Sequence, residues 1–158
     1  EDNVDRMVFF CKGVIETVKK FGWPPDIVHC HGWMTSLIPL YLKTAYNTEP
    51  LFQQSKIIYS AYSDSLDKSF SDKFLAKATI NNLTSEDLSA YQNGSGLTLH
   101  GGAIHFADGV VRGSENLTEA VEKTLKEADK PVLDFQDGED LSAYLEFYNS
   151  LLAEEVSE

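Results

Sequence analysis

This chain is poor in basic residues and in cysteine and has no long apolar run, and each shortage excludes something. Lysine and arginine number 13 against 25 acids, for a net charge of −12. A nucleic-acid binder needs a basic face that displaces counterions from phosphates, so nucleic acid is not expected as a partner. No stretch approaches the roughly 18 apolar residues that a membrane span requires, so no membrane partner is expected either. No signal peptide is visible, although the chain opens at Glu1 without a methionine and its natural start is expected to lie upstream. Cys11 and Cys30 are too few for a disulfide framework and read as reduced core thiols, which points to the cytoplasm. The G-x-S-x-G elbow, the G-x-x-x-x-G-K-[ST] phosphate loop and the G-x-G-x-x-G turn are all missing. Tight nucleotide binding by this stretch alone is therefore not expected, and no cofactor is assigned.

What is present suits one globular domain, since 42% hydrophobic residues in 158 can fill a core. Met7, Phe10, Cys11, Val14, Ile15 and Val18 follow helical spacing and predict one buried face, ended by Gly22 and Pro24-Pro25. Asp26–His31 reads as a strand, about 33–47 as a helix and Lys56–Tyr62 as a second strand. Residues 63–96 weaken into Ser, Asp, Asn and Lys. One or two short helices are expected there, with Phe70, Phe74 and Leu75 on one face and Thr84 with Asp87 as a capping box. This is the stretch expected to be a mobile insert. A helix at 97–107, a strand at 109–112, a helix capped by Asn116, a strand at 130–135 and a last helix follow. That last helix would turn Leu141, Tyr144, Leu145, Tyr148 and Leu152 inward. Strands alternating with helices predict an α/β, Rossmann-like parallel sheet of about four strands with helices on both faces.

The richest segment is His29-Cys30-His31-Gly32-Trp33, where a strand hands over to a helix. In open α/β sheets ligands bind at the carboxyl ends of strands, so this turn is the candidate site. His29 and His31 share a strand face, and Cys30 points to the other. No third and fourth ligand join them, and His100 and His105 are poorly spaced on a helix, so no metal is expected. His29 reads as a buried imidazole satisfied by backbone groups, and His31 as the one that meets a ligand. Trp33 reads more readily as a packing anchor than as a sugar platform. Asp134, Gln136 and Asp137, and likewise Ser114 and Glu115, follow strands, and helix capping is their plainer role.

Pro25 to Lys43 resembles the H-x-H-D-W-H-T strand–turn–helix of glycogen and starch synthases, retaining glucosyltransferases of family 5 with the two-domain GT-B fold. The likeness extends along most of the chain. Phe9-Phe10-Cys11-Lys12-Gly13-Val14 with Trp23-Pro24-Pro25-Asp26 resembles the helix and turn before that motif. Ile57 to Ser63 stands where those enzymes have a T-x-H-N strand end, and Ala107 to Ser114 is similar to their A-D-x-V-x-T-V-S segment. The resemblance implies that 1–158 is a single partial GT-B N-terminal domain, similar to short bacterial forms that hold little more than that domain.

In the family the first domain receives the growing α-glucan, and the second holds most of the ADP-glucose. The resemblance thus implies substrate contacts at His31, Trp33, Tyr62 and His29, with an α-glucan or maltooligosaccharide as partner. Three departures stand out: Gly32 for an acid, Met34 for a histidine, and Tyr62-Ser63 for the His-Asn pair. No K-x-G-G-L loop, which helps hold the donor in the family, occurs in the sequence. ADP-glucose is therefore expected to bind only with a donor domain, and transfer by this chain alone is not expected. The alternative is a pseudoenzyme, a non-catalytic glucan-binding or scaffold module. A flavodoxin-like or receiver domain is a weaker third reading, because the clustered acids and lysine of a receiver are not seen. Lacking early strands, the chain is also expected to self-associate through an exposed sheet edge.

Overall fold

The computed structural model describes residues 2–64, 73–93, 96–138 and 141–153. Helix α1 (Asn3–Phe21) ends on Gly22, whose φ of 67° closes the helix as its N–H donates to the carbonyls of Val18 and Lys19. That left-handed conformation favours glycine. Strand β1 (Ile27–His31) and a 3-10 turn at Trp33–Thr35 lead into α2 (Leu37–Lys43). Strand β2 (Lys56–Ala61) is followed by α3 (Phe74–Ala78) and a small hairpin, β3 (Gln92–Asn93) with β4 (Gly96–Leu97). Helix α4 (Leu99–Phe106), β5 (Gly109–Arg112), α5 (Glu119–Ala128), β6 (Val132–Leu133) and α6 (Ser142–Ala153) complete the order.

The main sheet is four-stranded, ordered β1-β2-β5-β6, with every pair parallel. Alternation along the strands gives it two unlike faces. Cys30, Ile57, Tyr59, Ala61 and Val110 join the larger core with Met7, Leu37, Leu40, Leu99, Ile104 and Leu125 from α1, α2, α4 and α5. On the other face Ile58 and Val111 pack against Phe147 and Leu151 of α6. The α/β class, the parallel sheet and the helices on both faces are therefore as the sequence predicts, with the second face covered by α6. No helix among the described residues is long and apolar enough to cross a membrane.

Several element-level expectations need correction. The buried stripe of α1 is Val4, Met7, Cys11 and Ile15; Phe10 lies beside it and is 44% exposed. The helix expected from Trp33 to Asn47 is a 3-10 turn and then a shorter α-helix, because Gly32 turns the chain at φ 71° and Thr44 leaves helical geometry. Thr84 and Asp87 do bond, the Asp87 carboxylate accepting from the Thr84 N–H at 2.7 Å, but they close a turn rather than open a helix. Thr118, not Asn116, caps α5, its Oγ1 accepting from the Val121 N–H. The strand expected at 130–135 is only Val132–Leu133, and Lys130 before it turns its side chain to α4. Its Nζ donates to the carbonyls of Ile104 and Ala107 at 2.9 and 2.6 Å and to that of His105, so a cation closes the negative end of α4. In α6 Tyr144 and Tyr148 turn inward as expected, beside the buried Phe147 and Leu151, whereas Leu145, and Leu141 just before the helix, are 61% and 63% exposed. Within 63–96, Phe70 lies outside the described residues, while Phe74, Leu88 and Tyr91 are fully buried, a larger share of core than this polar stretch suggests.

Candidate functional site

Parallel pairing brings the carboxyl ends of β1, β2 and β5 to one edge, with His31 beside Ser60 and Ala61 beside Arg112. The ladder runs on past the strands: the Gly32 N–H donates to the Ser60 carbonyl at 3.1 Å and the Gly113 N–H to that of Ala61 at 2.8 Å. Tyr62 follows β2 between these glycines. A Cβ on Gly113 would come within 2.7 Å of the Tyr62 ring, so only glycine lets the phenol lie against the β5 turn. The Ser63 N–H donates to Ser114 Oγ at 3.2 Å and ties the two turns together. Ser114 thus holds the neighbouring turn instead of capping a helix.

His29 and His31 point to the α6 face and stack, with ring centroids 4.0 Å apart and planes 23° from parallel. His29 is half-buried, and its partners are side chains, not the backbone groups expected: Nδ1 is bonded to the Tyr148 hydroxyl at 2.5 Å and Nε2 to the Ser60 hydroxyl at 2.7 Å. A neutral imidazole offers one donor and one acceptor, and a hydroxyl serves either, so both nitrogens are satisfied in either tautomer. Burial, with the adjacent His31 adding to it, lowers the His29 pKa from 6.5 to about 4. His29 is therefore neutral at pH 7. His31 stands at the solvent rim with Nδ1 3.1 Å from the Tyr62 hydroxyl, and partial burial by its neighbours lowers its pKa too.

Sequence reasoning missed three contributors: Ser60, Tyr144 and Tyr148. Tyr144 lies 6.3 Å from His29 and 6.4 Å from Tyr148, centroid to centroid. Burial raises the Tyr62 and Tyr148 phenol pKa values, and Tyr144 is close enough to add to both shifts. Ser60 of β2 shares the parity of Tyr62 just after the strand, a signal that was readable. The α6 tyrosines are a turn apart, but nothing local says which strand they cover. Trp33 is partly buried and packs against the larger core.

Other groups at this edge are paired within the chain. The Arg112 guanidinium forms a fork with both Glu122 carboxylate oxygens and lies 3.1 Å from Asp134. Asp134 is thus an ion-pair partner and not the helix cap expected, and Gln136 Nε2 donates to the Asp134 carbonyl. Elsewhere, His100 is 1% exposed and bridges the Tyr59 hydroxyl (2.8 Å) to Asp64, tying α4 to the segment after β2. Both cysteines are free and buried; burial pushes the Cys11 thiol up to about 12 and the Cys30 thiol upward as well. Among the described residues no group of three or more His, Cys, Asp or Glu is placed to hold a metal ion.

A parallel α/β sheet with a histidine-bearing strand end is shared by many classes of protein, and comparison with known proteins makes the class specific. The family model described as "Starch synthase catalytic domain" matches residues 1–130, and the chain belongs to that family. A glycogen synthase of Clostridium perfringens is 30% identical over 125 residues, covering 76% of this chain and 25% of that protein. The glycogen synthase of Chlorobium chlorochromatii is 48% identical over 59 residues, 37% of this chain and 12% of its own. The chain thus spans a quarter or less of the length of these relatives. Among solved structures, the catalytic domain of starch synthase IV from Arabidopsis thaliana bound to ADP and acarbose superposes with a TM-score of 0.68. It covers 91% of this chain and 31% of that one at 19% identity, a likeness of fold.

Proposed function

We propose that residues 1–158 form one partial GT-B N-terminal domain of a glycogen or starch synthase and act as its acceptor side. An α-1,4-glucan or maltooligosaccharide is held at the carboxyl edge of β1 and β2. The observation that carries this is the exposed His31 imidazole, stacked on His29 and bonded to Tyr62 at the strand ends. His31 and Tyr62 offer ring faces and hydrogen bonds to a sugar, His29 supports His31 from below, and Trp33 anchors the turn. The Arabidopsis neighbour, bound to ADP and acarbose, supports a site for such ligands in this fold.

Transfer from ADP-glucose by these residues alone does not follow. The departing diphosphate has to be stabilised by preorganised positive charge, usually inside a closed cleft. Arg112, the arginine at this edge, is already neutralised by Glu122 and Asp134, and the net charge of −12 opposes an anion. ADP-glucose therefore binds only when a donor domain is supplied. The second reading, a glucan-binding or scaffold pseudoenzyme, is favoured by Gly32, Met34 and Tyr62-Ser63 at positions where the family has an acid, a histidine and a His-Asn pair. Two free, buried cysteines suit a reducing cytoplasm.

Calorimetric titration with maltoheptaose and, separately, with ADP-glucose tests the proposal. Saturable heat with the glucan that is lost in His31→Ala, and none with the nucleotide sugar, is the expected outcome. Tight ADP-glucose binding would contradict it.

A further inference from the structure

Helix α6 lies wholly beyond residues 1–130, the part that matches the family, yet it packs against His29 of the imidazole pair. Its seat is well defined. Phe147 and Leu151 fill the second core against Ile58 and Val111, and they approach β5 so closely that a Cβ on Gly109 would meet them at 2.9 and 2.8 Å. Tyr144 and Tyr148 sit one turn apart on the same helix, so the packing that seats Phe147 and Leu151 also fixes where these two rings reach. Tyr148 meets His29 edge-on, with centroids 5.7 Å apart, and is bonded to its Nδ1. Tyr144 stands beside both.

From this arrangement we propose that α6 is a wall of the sugar site, with Tyr148 as a positioning residue for His29 and Tyr144 as a ring on which a glucan unit stacks. The inference rests on the glucan reading above. Hexopyranoses of the α-glucan type present apolar C–H faces that suit an aromatic ring, and Tyr62, bonded to His31, and Tyr144, beside His29, supply two such rings. Tyr148 acts at one remove. It holds His29 at a fixed tilt, His29 stacks on His31, and His31 is thereby aimed at the Tyr62 hydroxyl rather than left to rotate in solvent.

The test is maltoheptaose titration of the unaltered chain and of Tyr144→Ala, Tyr144→Phe and Tyr148→Phe, together with NMR of the histidine rings in the free proteins. Loss of a stacked ring should weaken binding about two- to tenfold in Tyr144→Ala. Tyr144→Phe, which keeps the ring, should recover most of that loss. Tyr148→Phe should move the His29 Nδ1 resonance in the free protein and weaken glucan binding, a pair of effects that a purely structural hydroxyl would not produce together. If the unaltered chain binds, His31→Ala does not, and both Tyr144→Ala and Tyr148→Phe bind as well as the unaltered chain, the role of α6 is overturned while the glucan site stands. If the unaltered chain does not bind maltoheptaose, the glucan reading fails and this inference falls with it.

Discussion

The two histidines of β1 differ in what surrounds them, and that difference divides their roles. His29 has hydroxyl partners on both nitrogens and a pKa lowered from 6.5 to about 4, chiefly by burial. Its effect on stability has a definite sign. In the unfolded chain the imidazole protonates as the pH falls through 6.5, while in the fold it stays neutral down to about 4. The unfolded state therefore binds more protons in that window, and stability should fall between these values and level off below. Urea unfolding followed across this range should show the slope, and His29→Gln should flatten it; an unchanged slope in the variant would place its origin elsewhere. His31, exposed and held by a side-chain bond to Tyr62, is the group that the proposed glucan would meet. His31→Ala should abolish measurable maltoheptaose binding with little change in the urea midpoint, because the side chain lies at the rim.

At the scale of elements, glycines mark where one piece must approach another closely. Tyr91 lies on α4 so tightly that a Cβ on Gly102 would come within 2.3 Å of its ring, and its hydroxyl donates to the Ser36 carbonyl at 2.6 Å. Gly102→Ala should therefore destabilise by about 1–3 kcal/mol through overpacking, even though alanine favours a helix. Chemical denaturation measures this directly, and a neutral or stabilising effect would mean that Tyr91 can move aside. The same elements show what the sequence made legible. Helical spacing of its apolar residues made most of α1 legible, and short runs of β-branched and aromatic residues did so for β1, β2 and β5. The inward face of α6 was only partly legible: Leu141, Tyr144, Leu145, Phe147, Tyr148, Leu151 and Leu152 leave several faces apolar, and only the sheet chooses among them. The same cause hid the contact of Tyr148 with His29, whereas His31 was singled out by its strand-end position and Tyr62 by the family resemblance.

At the scale of the whole molecule, β1 is an edge strand of the described sheet, and α1 and the turn after it leave Phe9, Phe21 and Trp23 outside, Trp23 at 80% exposure. A free strand edge beside exposed aromatics is a template for association, so these 158 residues should self-associate as concentration rises, opposed by their net charge of −12. Sedimentation at low and high salt should show mass rising with concentration, and more so when salt screens the repulsion. A strictly monomeric profile under both conditions would rule this out. The placement of the sugar site is the central claim for the molecule, and chemical-shift mapping of a maltoheptaose titration tests it most directly. Perturbations should gather at His31, Tyr62 and Tyr144 and leave the Arg112 and Asp134 edge unmoved. Saturable shifts centred on any other surface, with the His31 and Tyr62 signals unchanged, would contradict it.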